Sequence, residues 1–461
     1  MKKLLVVLLS LGLIAAFSMT ASAADMKFGG GYYVVGAYEN NPTLTENSYS
    51  KAFFYTRTRL QPVFQIAEGL TFTARMDALE KQWGNTNMKG GTDDLTSSRR
   101  AVSQVGAAGT TQINQKIQES LEFERAYVTF LTGLGMFQIG YQNVDDWGTD
   151  FGNYSNSRPR AAFATKLGPM TLNLVYEKLY ENDTAINTGH QVDADNDTYA
   201  ISGVYNAKGM EAGLLYKYYM LNSSAPAGAK STRNLISPYV KATFGPVYIE
   251  GEATYWFGKY AAYEAPAPAT TQDIDLQAYS AYFKVMGNFG PAYAGVQFGY
   301  VSGNDLSDDT KNTTAWSGGG PSWSPALLLM NDGYNTQSGG VSAASPGLSA
   351  ANPVTSSKYN VIVYNAFGGF NPTPKLNLEA ALTYATVAQK ALSKTGGVVT
   401  EAVSDKLGTE IDIKATYKIY GNLTYMIGAG YLMTGDYFKG ADSNKKIDDD
   451  YVLLNQLTLS F

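Results

Sequence analysis

Apolar and polar residues alternate with a period of two along most of the chain. From Lys51 to Ile66 one parity reads Phe54, Thr56, Thr58, Leu60 and Phe64, and the other reads Tyr55, Arg57, Arg59, Gln61 and Gln65. An extended strand with this pattern has one apolar face and one wet face. Leu70 to Gln82 repeats the split, with Leu70, Phe72, Ala74 and Met76 against Thr71, Thr73, Arg75 and Asp77. It is cleanest in Glu410 to Ile419, where Ile411, Ile413, Ala415, Tyr417 and Ile419 oppose Glu410, Asp412, Lys414, Thr416 and Lys418.

The connections alternate in length. Tight turns with Gly, Pro or Asn fall at Ala67 to Gly69, Thr132 to Gly135, Leu167 to Pro169, Asn206 to Gly209, Phe244 to Pro246, Phe289 to Pro291, Asn371 to Pro374 and Tyr420 to Asn422, and these fit hairpin chemistry. Between them lie polar stretches near 40–48, 83–116, 145–158, 182–196, 222–232, 260–273, 304–356, 388–405 and 435–449. Eight turns and nine loops join eighteen strands, with sixteen as the alternative count. Strands of about ten residues, short turns at one rim and long loops at the other predict an all-β fold. The expectation is a transmembrane antiparallel up-and-down β-barrel with periplasmic turns and extracellular loops.

The start of the chain has a different character. Lys2 and Lys3 precede a nearly unbroken apolar run from Leu4 to Phe17, and Ala21-Ser22-Ala23 fits a small-residue cleavage rule. Residues 1–23 therefore read as a signal peptide and 24–461 as the barrel. Beyond residue 23 no apolar run reaches the 18 or so residues of a helical span; the densest is the short Ala326 to Met330.

Composition removes much chemistry. With no Cys and a single His in 461 residues, thiolate zinc sites, disulfide scaffolds and most His-dependent catalysis are excluded. The net charge of −5 speaks against a nucleic-acid surface. No cofactor, metal or catalytic residue is expected, and the chain does not read as an enzyme. Asp193, Asp195 and Asp197 alternate like the start of a calcium loop but lack its Gly. His190 sits in a Gly- and Asp-rich loop, and Gly133-Leu134-Gly135 is a hairpin turn with no dinucleotide fingerprint.

Tyr451, Leu453, Leu457 and Leu459 share one parity with the terminal Phe461. This ending resembles the assembly signal of Gram-negative outer-membrane proteins. With the leader and the hairpins, the mature chain resembles bacterial outer-membrane porins over nearly its whole length. The resemblance implies insertion by the barrel-assembly machinery, outer-membrane lipid and lipopolysaccharide as surroundings, a homotrimer, and small hydrophilic solutes as cargo.

Barrels of 16 to 18 strands leave an aqueous channel, so inward residues matter most. The wet parity places Arg57, Arg59, Arg75 and Arg125 toward the lumen, with Arg158 and Arg160 where the third long loop meets its next strand. Later strands add Glu250, Glu252, Glu379, Glu410 and Asp412, interspersed with Lys241, Lys284, Lys414 and Lys418. A basic wall facing an acidic one would set up a transverse field.

In porins the loop corresponding to 145–158 commonly folds inward, and by that resemblance Asp145, Asp146 and Asp150 would face Arg57, Arg59 and Arg75 across a constriction. Loop 83–116, with Arg99 and Arg100, competes for that role. The longest loop, 304–356, either covers the mouth or stays in solvent. The function expected is passive diffusion of hydrophilic solutes. The alternatives are a substrate-selective channel with an aromatic track and an adhesin or scaffold barrel with an occluded lumen.

Overall fold

The computed structural model describes residues 25–83, 121–153, 156–181, 195–222, 229–263, 272–314, 323–330 and 359–461. Eighteen antiparallel strands form one closed barrel. The first nine are β1 (Asp25–Glu39), β2 (Lys51–Ala67), β3 (Leu70–Gln82), β4 (Glu122–Thr132), β5 (Gly135–Val144), β6 (Asn156–Leu167), β7 (Met170–Tyr180), β8 (Asn196–Ala207) and β9 (Met210–Leu221). The second nine are β10 (Ala229–Phe244), β11 (Val247–Tyr263), β12 (Ile274–Phe289), β13 (Ala292–Val301), β14 (Val361–Thr373), β15 (Leu376–Thr386), β16 (Lys406–Tyr420), β17 (Leu423–Thr434) and β18 (Asp450–Ser460).

All eight expected turns join consecutive strands through two residues. Gly168-Pro169, Gly245-Pro246 and Gly290-Pro291 repeat one solution, in which the glycine takes a φ of 64°, 59° or 66°. That is the positive φ a twisted hairpin needs at its first central residue, and L side chains resist it. The nine long connections gather at the opposite rim. The leader, residues 84–120 with Arg99 and Arg100, and His190 and Asp193 lie outside the described residues.

Register assigns the two faces. Neighbouring positions around one face run Arg59 to Asp77, Gly140 to Arg160 to Glu177, and Lys241 to Glu250 to Lys284 to Gln297 to Asn365 to Thr383 to Glu410. That face is charged or polar and encloses the lumen. The other carries Leu174, Ile201, Phe283, Val296, Ile411, Ile413, Ile427 and Leu453, all exposed. Exposed aromatics stand near both ends of the outer face, with Tyr205, Phe244 and Phe289 toward the turns and Tyr255, Tyr279 and Tyr431 toward the loops. An outward apolar band between aromatic girdles is how a barrel meets lipid.

β1 pairs with β18 and closes the ring. Its last link is Phe461, whose carbonyl accepts the Gly30 N–H at 2.7 Å and whose N–H donates to the Gly30 carbonyl at 3.1 Å. A Cβ at Gly30 would lie 2.8 Å from the Phe461 ring, so the glycine makes room for the aromatic. Tyr451, Leu453, Leu457 and Leu459 share the outward parity.

Deleting Phe461 removes two seam hydrogen bonds and the ring packed on Gly30. The fraction of protein showing heat-modifiable migration on gels is expected to fall several-fold. Unchanged migration and yield would show that the seam closes without this residue.

Candidate functional site in the lumen

Two long loops return into the barrel. The first begins at Asp145, whose φ of 58° turns the chain inward from β5. Trp147 donates its indole N–H to the Ser237 carbonyl on β10 at 3.1 Å and meets Tyr239 edge-on. The Thr149 N–H and hydroxyl donate to Glu252 Oε2 on β11 at 2.7 and 2.8 Å. Gly148 and Gly152 lie so close to that carboxylate that a Cβ on either would collide with it. Phe151 is fully buried and stacks on Tyr282 of β12 at 5.0 Å.

The second return is 323–330, from the longest loop. Trp323 donates to Gln297 Oε1 on β13 at 3.0 Å, and Asn365 of β14 donates to the Pro325 carbonyl at 3.1 Å. The Leu327 and Leu328 N–H groups donate to Glu410 Oε1 on β16 at 2.9 and 2.7 Å, and the Leu329 N–H donates to Oε2 at 2.7 Å. Leu328, Leu329 and Met330 are fully buried, and Leu327 packs against Gly428 and Gly430 of β17. The two returns touch where Phe151 meets Trp323, ring centroids 5.0 Å apart. Together they cover the wall from β10 to β17.

On the other arc Arg57, Arg59, Arg75, Arg125, Arg158, Arg160 and Lys217 share the inward face. Arg59 donates to both oxygens of Asp77 at 2.7 and 2.6 Å, and Arg57 and Arg75 reach the same carboxylate at 3.8 and 3.7 Å. The Arg57 guanidinium lies over the Tyr33 ring at 4.7 Å. Arg125 donates to Asn143 Oδ1 at 2.9 Å, and Arg160 donates to the Asn143 carbonyl at 2.8 Å and stands 3.9 Å from Glu177. Lys217 on β9 bridges Asp145 and Glu177 at 2.8 Å each.

Asp145 also accepts from Arg158 at 2.9 Å. Burial alone would push its carboxyl up, yet Lys217 and Arg158 hold it below the ordinary aspartate value.

The three loop aspartates thus separate. Asp145 serves the Lys217–Arg158 network, while Arg57, Arg59 and Arg75 meet Asp77 on β3. Asp146 is exposed and accepts from Asn143 Nδ2 at 2.9 Å. Asp150 is exposed, between Thr149 and Phe151, which pack against β11 and β12. Asp195 and Asp197, from the calcium-like run, both pair with Lys178. Sequence reasoning did not single out Asp77, Glu177, Lys217, Thr149 or the 323–330 return. The apolar run Ala326 to Met330 inside a Gly, Ser and Asn-rich loop was the available signal for the last.

No protein-family model matches the sequence, and no curated protein matches it. Among solved structures the chain is similar to the outer-membrane protein OpdK of Pseudomonas aeruginosa, with 10% identity and a TM-score of 0.49 over 94% of this chain and 99% of that one. It is also similar to a BenF-like porin from Pseudomonas fluorescens Pf-5, with 12% identity and a TM-score of 0.48 over 95% and 99%. An anion-selective porin from Comamonas acidovorans gives 11% and 0.45 over 95% and 100%. At these values the likeness is one of barrel architecture alone.

Glu252→Ala leaves two loop donors without their acceptor, and Glu410→Ala leaves three. A buried unmet donor costs about 1–3 kcal/mol, enough to detach a short return while the sheet persists. Each variant is expected to give larger or noisier single-channel currents with unchanged heat-modifiable migration. Currents indistinguishable from the parent would show that these carboxylates do not hold the returns.

Proposed function

We propose that the protein is an outer-membrane porin that passes small hydrophilic solutes through a water-filled lumen by passive diffusion. One observation carries the reading. Along the arc from β2 to β9, Arg57, Arg59, Arg75, Arg125, Arg158, Arg160 and Lys217 line the inward face, and they outnumber the carboxylates beside them. The later, more acidic arc is the one that the two returns cover.

A path bounded by the basic arc favours anions, because charges at a low-dielectric wall act on a passing ion more strongly than in bulk water. The substrate-selective alternative has less support. Phe151, Tyr239, Tyr282, Trp256 and Trp323 are all buried in packing the returns and the wall behind them, so they offer no continuous aromatic track to a solute.

The same proposal includes a homotrimer surrounded by outer-membrane lipid and lipopolysaccharide, after insertion by the barrel-assembly machinery. The outer surface of β1, β2 and β14–β18 has an apolar recess of about 1230 Å³ lined mainly by outward residues such as Phe54, Phe370, Leu378, Ile413, Ile427 and Leu453. A neighbouring copy would seat there.

Planar-bilayer recording tests the reading. Under a salt gradient the parent is expected to show stepwise conductance with a reversal potential on the anion side. Replacing Arg57, Arg59 and Arg75 together with Gln should move it toward cations. The shift should shrink in 1 M salt, where the screening length falls to about 3 Å. Insertion without conductance would overturn the channel reading, and an unmoved reversal potential would remove these arginines from the selective region.

A further inference from the structure

Where β1 leaves the sheet at the loop rim, three oxygen-bearing side chains share one face of the barrel seam. Glu39 pairs with Val452, and the Asn40 N–H donates to the Tyr451 carbonyl at 3.0 Å, which sets Asn41 opposite Asp450. The Asn41 N–H donates to Asp450 Oδ1 at 2.7 Å, and its Nδ2 donates to the Asp449 carbonyl at 3.3 Å. The Glu39 carboxylate lies within hydrogen-bonding reach of that of Asp450. Glu39, Asn41 and Asp450 are 0%, 4% and 0% exposed.

Among the described residues two atoms of this cluster have no hydrogen-bond partner, Asn41 Oδ1 and Asp450 Oδ2. The bond from Nδ2 to Asp449 orients the Asn41 amide, and the bond from its backbone N–H keeps the residue against the Asp450 carboxylate. Buried acceptors of this kind normally have donors, and their absence calls for an explanation. Lys51 stands across from Glu39 on β2, on the strand away from Asn41 and Asp450. A proton shared between Glu39 and Asp450 would leave the Asn41 oxygen unmet. One metal cation satisfies the amide oxygen and the carboxylates together.

We propose that Glu39, Asn41 and Asp450 form a binding site for a hard divalent cation, of the size and oxygen preference of Ca²⁺, at the loop end of the barrel seam. Ca²⁺ accepts carboxylate, amide and water oxygens in flexible geometry, whereas Mg²⁺ demands a near-ideal octahedron. Asp449, next to Asp450, is already occupied. The Asp449 oxygens take the Tyr431 hydroxyl at 2.8 Å and the Thr434 N–H at 2.9 Å.

The loops on either side already touch, through the Thr45–Ile447 bridge and the Asp448 N–H donated to the Leu44 carbonyl at 3.1 Å. A bound cation fastens these loops across the seam. This role does not depend on what the lumen conducts.

The test uses the full barrel refolded in detergent free of lipopolysaccharide. Tb³⁺ luminescence sensitised by protein aromatics should rise to saturation and fall when Ca²⁺ is added. The temperature at which the heat-modifiable band is lost should rise by about 5 °C in Ca²⁺ over chelator, as expected when a ligand binds only the folded state. Asp450→Asn and Asn41→Ala should each lose the luminescence and the rise, whereas Glu68→Gln, exposed in a turn at the opposite rim, should keep both. If Asp450→Asn fails to fold, Asn41→Ala decides. A parent midpoint equal in Ca²⁺ and chelator would overturn the site, as would an Asp450→Asn protein that still responds. So would an Asp450→Asn barrel more stable than a Ca²⁺-insensitive parent, because the pair then holds only a proton.

Discussion

A wall glutamate that accepts backbone N–H groups from a returning loop is the interaction on which the inner geometry rests. A loop inside a barrel has no sheet partner, and its N–H groups face protein instead of solvent. Unmet, each would oppose the return. Glu252 meets two donors of the first return and Glu410 three of the second. Charge-assisted bonds of this kind are roughly twice as strong as neutral ones, which offsets part of the entropy of ordering a loop. The aromatics complete the arrangement: Phe151, Tyr282 and Trp323 form one packed group linking both loops to β12.

The barrel that carries these clasps follows from a simpler constraint. In lipid no water satisfies a sheet edge, so the sheet has to close on itself. Alternation then sorts residues without further choice, since closure turns one face of every strand inward. The charged parity read in Glu410 to Ile419 and in Lys51 to Ile66 is the lumen parity of β16 and β2. Gly30 and Phe461 show the same constraint at atomic scale: the final backbone pair forms because one strand gives up a side chain to the ring of the other.

That is why the fold was legible and the site only partly so. Strand number, all eight turns and the lumen parity come from period and turn chemistry, which are local. The inward path of a loop is not local. By resemblance Asp145 would face Arg57, Arg59 and Arg75, whereas its pairing with Lys217 and Arg158 depends on strands β6 and β9 being brought beside it by closure. Asp77 looked like an ordinary polar alternation in β3. Only the β2–β3 register makes it the shared partner of Arg57, Arg59 and Arg75. Glu410 and Asp412 read as solvated lumen charges, yet both are almost fully buried because residues 323–330 come to lie on them.

The two arcs of the lumen use their acids differently. Asp77 is nearly buried and meets three guanidiniums, whose side chains remain 22%, 27% and 11% exposed. A carboxylate shared in this way holds the group together against mutual repulsion. On the opposite wall Glu252 and Glu410 direct their charge into loop backbone, where N–H dipoles absorb it. Acids thus fasten loop backbone on one side and anchor guanidiniums on the other, so one residue type carries out two structural tasks within a single lumen.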